Sequence, residues 1–375
     1  MREVFLAFLS LGMRSFGGPI AHLSYFRAAF VERRRWVDDA TFGEIVALCS
    51  FLPGPTSSQV GMLLGTLRAG AGGAFAAWLG FTLPSAILMT LVATGLPLAR
   101  STWWIHLLLL VAVAVVADAI LTMARTLTPD LLRGALALVC AALVLALPGT
   151  VGQLAVLGLG ALAGLAFLRR EAEAPAPLAF PLSRGTAASV LVLFALVAVA
   201  LWVFARLSPD VALAAAFFRA GSLVFGGGHV VLPLLSASFV PGWLDETRFL
   251  AGYGAAQAMP GPLFTFAAYL GALAAIGPGG ALGAIVGTCA IFAPSFFLIF
   301  GVVPFWREIR ANVLAAAAIR GLGAAVVGLL LGAFVNPILP NAIHDWIDAL
   351  LALAVFGFVR VRRELVRRRT NTTNA

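Results

Sequence analysis

Phe8-Leu9-Ser10-Leu11-Gly12-Met13-Arg14-Ser15-Phe16-Gly17-Gly18 stands near the start of the chain, and Phe217-Phe218-Arg219-Ala220-Gly221-Ser222-Leu223-Val224-Phe225-Gly226-Gly227 stands well into its second half. A phenylalanine, a glycine and the Phe-Gly-Gly triplet fall in register between them. A second ungapped block opens at Trp36 and at Trp243: Asp38 matches Asp245, Phe42 matches Phe249, and Pro53-Gly54-Pro55 matches Pro260-Gly261-Pro262. Gly70-Ala71-Gly72-Gly73-Ala74 then matches Gly277-Pro278-Gly279-Gly280-Ala281, and after a short gap Leu83-Pro84-Ser85 answers Ala293-Pro294-Ser295. Glycine and proline recurring at fixed offsets mark a duplicated unit. The stretch Glu171 to Arg184, rich in proline, alanine and charge, reads as a linker. The expected organisation is a first repeat over 1–170, a cytoplasmic linker over 171–185, and a second repeat with a basic tail over 186–375.

Composition places both units in a membrane. Of 375 residues, 61% are hydrophobic and only 11% charged, too few charges to cover a soluble protein of this length. Mean hydropathy is +1.01, and several apolar stretches reach the roughly 20 residues that a bilayer-crossing helix needs. The first apolar run holds Arg14 and leads into Gly17-Gly18-Pro19 and Arg27 rather than a small-residue cleavage site, so no signal peptide is read there. The net charge of +9 does not point to nucleic acid, because the arginines cluster at the ends of apolar segments. Cys49, Cys140 and Cys289 lie far apart in apolar surroundings and match no metal spacing. They read as small buried residues; no metal and no cofactor is expected.

Charge also orients the repeats. The loop Glu32-Arg33-Arg34-Arg35-Trp36 is strongly basic, whereas its counterpart Pro241-Gly242-Trp243-Leu244-Asp245-Glu246-Thr247-Arg248 has no basic excess. Equivalent loops of opposite bias imply inverted topology. Full spans are expected near 74–97, 102–124, 132–148, 150–168, 186–206, 281–303, 312–334 and 343–359. The segments 4–31, 41–67, 211–240 and 248–275 read as re-entrant broken helices, since arms of about 12 residues at 1.5 Å each are too short to span. That count keeps Arg169, Arg170, Arg184, Arg307, Arg310 and the tail Arg360–Arg369 on the cytoplasmic side, with both termini. The fold class is therefore an all-α polytopic membrane protein with two inverted-topology repeats.

Irregular backbone at membrane depth persists only where protein or a wet cavity satisfies it. The breaks are thus the first place to seek a site. A helix starting at a break offers unpaired N–H groups and a positive dipole end, which suits an anion. The candidate binding residues are Ser15, Phe16, Gly17, Gly18, Pro19, Pro53, Gly54, Pro55 and Thr56 in the first half. In the second they are Arg219, Phe225, Gly226, Gly227, Gly228, His229, Pro260, Gly261 and Pro262. Ser57, Ser58, Gln59, Ser222 and Thr265 lie nearby, each open to the alternative of capping or back-bonding to its own helix. The glycines could equally serve close helix packing. Arg14, His22, Asp118 and Arg320 are candidates for charge or coupling roles, with snorkelling the alternative for Arg14 and a mutual Asp118–Arg320 pair among the possibilities. Arg219, together with the Gly226–Gly228 and Gly17-Gly18 breaks, is expected to hold the anion.

Ser15-Phe16-Gly17-Gly18-Pro19-Ile20-Ala21-His22 followed by Pro53-Gly54-Pro55, and Phe225-Gly226-Gly227-Gly228-His229-Val230-Val231-Leu232-Pro233-Leu234 followed by Met259-Pro260-Gly261-Pro262, resemble the chromate ion transporter family in its long, two-domain form. The resemblance covers nearly the whole chain. It implies chromate efflux across the bacterial cytoplasmic membrane, with sulfate as a related anion. Ser10 stands where the family's first motif would carry a lysine, while Arg219 keeps a cation at the matching place. No G-x-x-x-x-G-K-[ST] loop is present, so ATP drive within the chain is not expected. Neither an H-E-x-x-H motif nor paired intramembrane acids support an enzyme. Transport of another oxyanion, sulfate or an organic phosphate, is the alternative. The partners expected are the oxyanion and the lipid bilayer, and a homodimer is compatible with the sequence.

Overall fold

The computed structural model describes residues 1–16, 18–95, 102–147, 149–169, 182–225 and 230–372, which are helical with no strand among them. The chain is an all-α polytopic membrane protein. Among the described residues, five helices are long and apolar enough to cross a bilayer, within Thr56–Thr94, His106–Leu127, Arg184–Phe204, Gly280–Ile309 and Val313–Ala342.

Helix α1 (Arg2–Gly12) stops before Ser15 and Phe16, and α2 (Gly18–Phe26) continues into a wider-wound turn, Arg27–Arg33. The chain doubles back between them. The Phe8 ring stacks on Phe30 with centroids 4.8 Å apart, and Glu3 comes 3.8 Å from Arg34. Helix α3 (Asp39–Phe51) is capped by Asp38, whose carboxylate accepts from the Thr41 N–H and is held below its usual range by that bond. After Pro53-Gly54-Pro55, α4 (Thr56–Thr94) begins, but its backbone breaks at Ala69 and Gly70. Its first arm ends where α3 began. Arg68 meets Glu3 at 3.1 Å and lies over the Trp36 ring at 5.6 Å. The α3 arm of 13 residues measures about 20 Å at 1.5 Å per residue, short of a 30 Å hydrocarbon core.

Helices α5 (Thr102–Leu127), α6 (Leu131–Ala146), α7 (Thr150–Phe167) and α8 (Arg184–Phe204) follow. Helix α6, expected near 132–148, starts at Leu131 behind the Asp130 cap and ends at Ala146. The second half repeats the doubling. Helix α9 (Pro209–Leu223) returns through α10 (Val231–Phe239), with Phe217 and Phe239 ring centroids 5.0 Å apart. Helix α11 (Glu246–Ala258), capped by Asp245 as α3 is by Asp38, returns through the short turn Leu263–Thr265 and α12 (Phe266–Leu273). Ala275 N–H then donates to Trp243 O at 2.8 Å, closing this hairpin near where it opened.

Helix α13 (Gly280–Val302) packs on α12, α9, α8 and α4, and a short α14 (Trp306–Ala311) leads to α15 (Val313–Ala333), which packs on α5, α6 and α7. Small residues let these backbones approach, as helices without a hydrophobic drive between them require. A Cβ on Gly164 would lie 2.2 Å from Ala317 O, and one on Gly321 only 1.9 Å from Gly160 O. The backbone is non-helical at Asn336, before Pro337; α16 (Leu339–Ala342) follows, and α17 spans Trp346–Thr372. The last span was expected to end near 359, but the arginine-rich tail holds no glycine or proline to break the helix, so it runs on. Cys289, expected to be buried with Cys49 and Cys140, is exposed on α13. Residues 171–181 of the expected linker lie outside the described residues, and α8 begins at Arg184 within the rest of it, where the Ser183 side chain caps its start.

Candidate functional site

The proline-glycine-proline tip of each half is pinned to the break of the other. Gly54 N–H donates to Val224 O at 2.6 Å, and Gly261 N–H donates to Ser15 O at 2.9 Å. Gly54 and Gly261 occupy equivalent repeat positions, and so do Ser15 and Val224, so one bond is made twice with the roles of the halves exchanged. Both glycines need left-handed backbone, at φ +125 and +97, which residues with a Cβ rarely adopt. The flanking prolines have no N–H to leave unpaired.

Polar side chains gather round these two bonds. Ser85 Oγ lies 2.6 Å from Thr265 Oγ1, which also donates to Pro262 O at 2.8 Å. Across the junction, Gln59 Nε2 donates to Pro53 O at 2.7 Å and lies 3.4 Å from Ser295 Oγ. Ser85 and Ser295 are again equivalent in the repeat. His22 bridges Ser15 O at 3.1 Å through Nε2 and Ser57 Oγ at 3.2 Å through Nδ1. A carbonyl only accepts, so the proton is assigned to Nε2 and the Ser57 hydroxyl donates to Nδ1. All of these side chains are buried.

Within that shell, Ser15 Oγ, Ser58 Oγ, Gln59 Oε1 and Thr82 Oγ1 have no protein hydrogen-bond partner among the described residues. Buried polar atoms are nearly always paired, so such a group of exceptions needs a reason. The first turn of α4, which carries Ser57, Ser58 and Gln59, has no side-chain cap, and helix-starting N–H groups lack partners within the helix. The junction therefore presents a helix N-terminus and several buried hydroxyls. Hydroxyl and amide donors of that kind suit an oxyanion.

Ser15, Phe16, Pro53, Gly54, Pro55 and Thr56 line or flank this junction from the first half, as do Phe225, Pro260, Gly261 and Pro262 from the second. Gly18 starts α2 at φ +75 with open space where a Cβ would be. Gly17, Gly226, Gly227, Gly228 and His229 lie outside the described residues, as does the side chain of Pro19.

The arginines are not part of this buried shell. Arg219 is exposed, donates to Ser238 Oγ at 2.7 Å, and lines a cavity of about 540 Å³ with Phe194, Trp202 and Trp243. Helical phase explains its position. A Cβ on Gly221 would lie 2.1 Å from Ile291 O, so that face of α9 packs inward. Arg219, two residues earlier and about 200° round the helix, faces the other way. Arg14, in the turn just past the end of α1, is exposed as well, while Gly12 two residues before it packs inward, with a Cβ there 2.7 Å from Phe81 O. Its guanidinium reaches back to Ser10 O at 3.0 Å and to the Ser10 hydroxyl. Since Ser10 is the equivalent of Arg219, Arg14 restores a cation to that place. It shares a cavity of about 280 Å³ with Arg33 and Arg34. Asp118 and Arg320 do not pair. Asp118 is buried 4.0 Å from Arg360, and Arg320 donates to Leu168 O at 2.9 Å, because the turn of α15 bearing it faces the end of α7. A further cavity of about 1240 Å³ lies among α5, α6, α7 and α15, is mostly apolar, and is not lined by the junction residues.

Ser85 and Ser295 belong to the junction, and the buried Thr82 stands one turn before Ser85 on α4; none of the three was singled out as a site residue. The recurring Pro-Ser pair of the repeat was the signal. It lay inside spans, where a serine reads most simply as bonded to its own helix.

The family model described as "Chromate transporter" matches residues 2–165 and 211–366. The chain is 29% identical over 341 residues to a chromate transport protein of Pseudomonas aeruginosa, covering 88% of this chain and 79% of that one. It is 29% identical over 360 residues to a probable chromate transport protein of Synechococcus elongatus, covering 94% and 88%. An uncharacterized transporter of Methanocaldococcus jannaschii is 24% identical over 368 residues, covering 95% and 88%. No solved structure matches.

Proposed function

The chain belongs to the chromate transporter family, and from this premise we propose that it is a secondary transporter exporting chromate across the bacterial cytoplasmic membrane. The anion is held where the two tips interlock. The observation that carries this reading is the reciprocal pair of bonds, Gly54 to Val224 and Gly261 to Ser15, around buried polar atoms that lack partners. A tetrahedral dianion needs its hydration replaced from several directions. Hydroxyls of Ser15, Ser58 and Thr82 and the α4 N-terminus supply donors, and Gln59 Oε1 can accept from a protonated oxygen of the anion.

The halves lie in opposite orientations, so the junction falls near mid-depth and each half offers one gate. The polar side chains named at the junction are buried in this structure, which in this reading corresponds to a closed site with neither gate open. Arg14 and Arg219, at matching places outside the junction, raise the local anion concentration by long-range attraction. Neither grips the substrate directly. Asp118, buried beside Arg360, is the acid in this reading through which proton coupling would run.

Radiolabelled chromate and sulfate uptake into proteoliposomes, with and without a pH gradient, tests the proposal. Chromate flux that falls by more than about tenfold in a Ser15→Ala, Ser58→Ala, Thr82→Val variant supports it, since three donors are removed and the loss of even one charge-assisted hydrogen bond is worth about that much. Unchanged chromate KM in that variant refutes the site. Sulfate flux without chromate flux refutes the substrate.

A further inference from the structure

A second cluster stands apart from the junction, at the start of α5 and of α17. His106 Nε2 lies 2.5 Å from Asp348 Oδ1, and His344 Nδ1 lies 3.5 Å from Asp348 Oδ2. The two imidazole rings are 5.5 Å apart, and one ligand atom from each residue falls within 4.8 Å of the others. Two imidazoles and one carboxylate are three of the four ligands of a tetrahedral zinc-type site. Metal–ligand bonds of about 2.0–2.2 Å place the ligands of such an ion about 3.3 Å apart, so small side-chain rotations would bring all three atoms to that spacing.

Burial of the trio is graded. Asp348 is nearly enclosed, His106 is half-buried and His344 is exposed, at 60% side-chain accessibility. An ion could therefore reach the cluster from solvent and keep a fourth position for water. Asp348 is oriented independently of any ion. Its Oδ2 accepts from the His344 backbone N–H at 2.9 Å, which fixes the carboxylate between the two rings. The residues that come together are 242 positions apart in the chain for His106 and Asp348, so no sequence spacing announces them.

We infer that His106, His344 and Asp348 form a binding site for a divalent transition cation of the zinc class, which pins the start of α17 to the start of α5. Imidazole nitrogen with a carboxylate favours zinc, copper or nickel over calcium or magnesium. The bound ion acts as a brace between the first half and the last helix. It is distinct from the anion junction and does not depend on what that junction carries.

Purified full-length protein in detergent, stripped with chelator, is titrated with Co²⁺ while visible absorption is recorded, and Zn²⁺ is then used to displace it. The expected result is one Co²⁺ per chain with the intense bands of a four-coordinate ion, and a rise in thermal midpoint with Zn²⁺. His344→Ala, at an exposed position that should fold normally, and His106→Ala should each weaken binding by more than about tenfold. Cys289→Ser, at an exposed thiol outside both the trio and the junction, should leave binding unchanged. The inference is overturned if Co²⁺ gives only the weak bands of a six-coordinate ion. It is equally overturned if the His106→Ala, His344→Ala double variant binds as the wild type does, since the trio is then a hydrogen-bonded brace alone.

Discussion

Two serines of the junction separate a binding role from a structural one. Ser58 Oγ has no protein partner, whereas Ser85 Oγ is bonded to Thr265 at 2.6 Å. Removing an unpaired buried hydroxyl breaks nothing in the protein. Ser58→Ala should therefore leave thermal stability in detergent unchanged, or raise it slightly, while weakening chromate transport. Ser85→Ala removes a made bond and leaves Thr265 with its Pro262 contact alone, and should cost ~1 kcal/mol. Thermal unfolding and transport KM, measured on both variants, decide the matter. If Ser58→Ala unfolds earlier with transport intact, the unpaired hydroxyl is not a substrate ligand. His22 offers a third case. Alanine there removes the link between Ser15 O and Ser57 Oγ, so stability and transport should fall together.

At the scale of elements, the tips are the sensitive parts. Gly261→Ala would force a Cβ into left-handed backbone 3.1 Å from Ser85 Cβ and 3.3 Å from Phe81 O. The expected cost is about 1–3 kcal/mol, read as an earlier thermal transition. Gly54→Ala meets Gln59 Nε2 at 2.4 Å and Ser295 Oγ at 2.8 Å, and should lose stability similarly while disturbing the equivalent contacts in the other half. The hairpin arms were legible because proline and glycine announce breaks wherever they fall, and because the duplication wrote each break twice. The partner of each tip was not legible. That Gly54 meets Val224 rather than its own Ser15 depends on how the two halves dock, and no local signal carries that. Arg219 shows another limit. Its charge was visible in the sequence, but its direction depends on which face of α9 is packed, and Gly221 two residues on was the only hint.

For the whole molecule, the reciprocal junction makes a claim about topology that can be checked from outside. If the halves are related by a two-fold axis in the membrane plane, equivalent loops must emerge on opposite sides. The basic loop at Arg33-Arg34-Arg35 would then face the cytoplasm and its counterpart at Pro241-Gly242 the exterior. The contacts favour hairpins that leave by the side they enter, since Arg68 and Glu3 meet beside Trp36 and Ala275 bonds to Trp243. Such hairpins add no crossings, so the inversion must come from the spans between the halves. A cysteine at an exposed position in each loop reports the side directly. Arg33→Cys and Gly242→Cys suit this, as both positions are exposed and a Cβ on Gly242 meets open space. Cys289 is exposed and would be replaced by serine, while Cys49 and Cys140 are buried and can stay. An impermeant maleimide added to intact cells should label Gly242→Cys and reach Arg33→Cys only after permeabilisation. Labelling of both from the same side would mean a parallel duplication. The reciprocal bonds could not then relate an outer gate to an inner one, and the junction would lose its place as the shared site of alternating access.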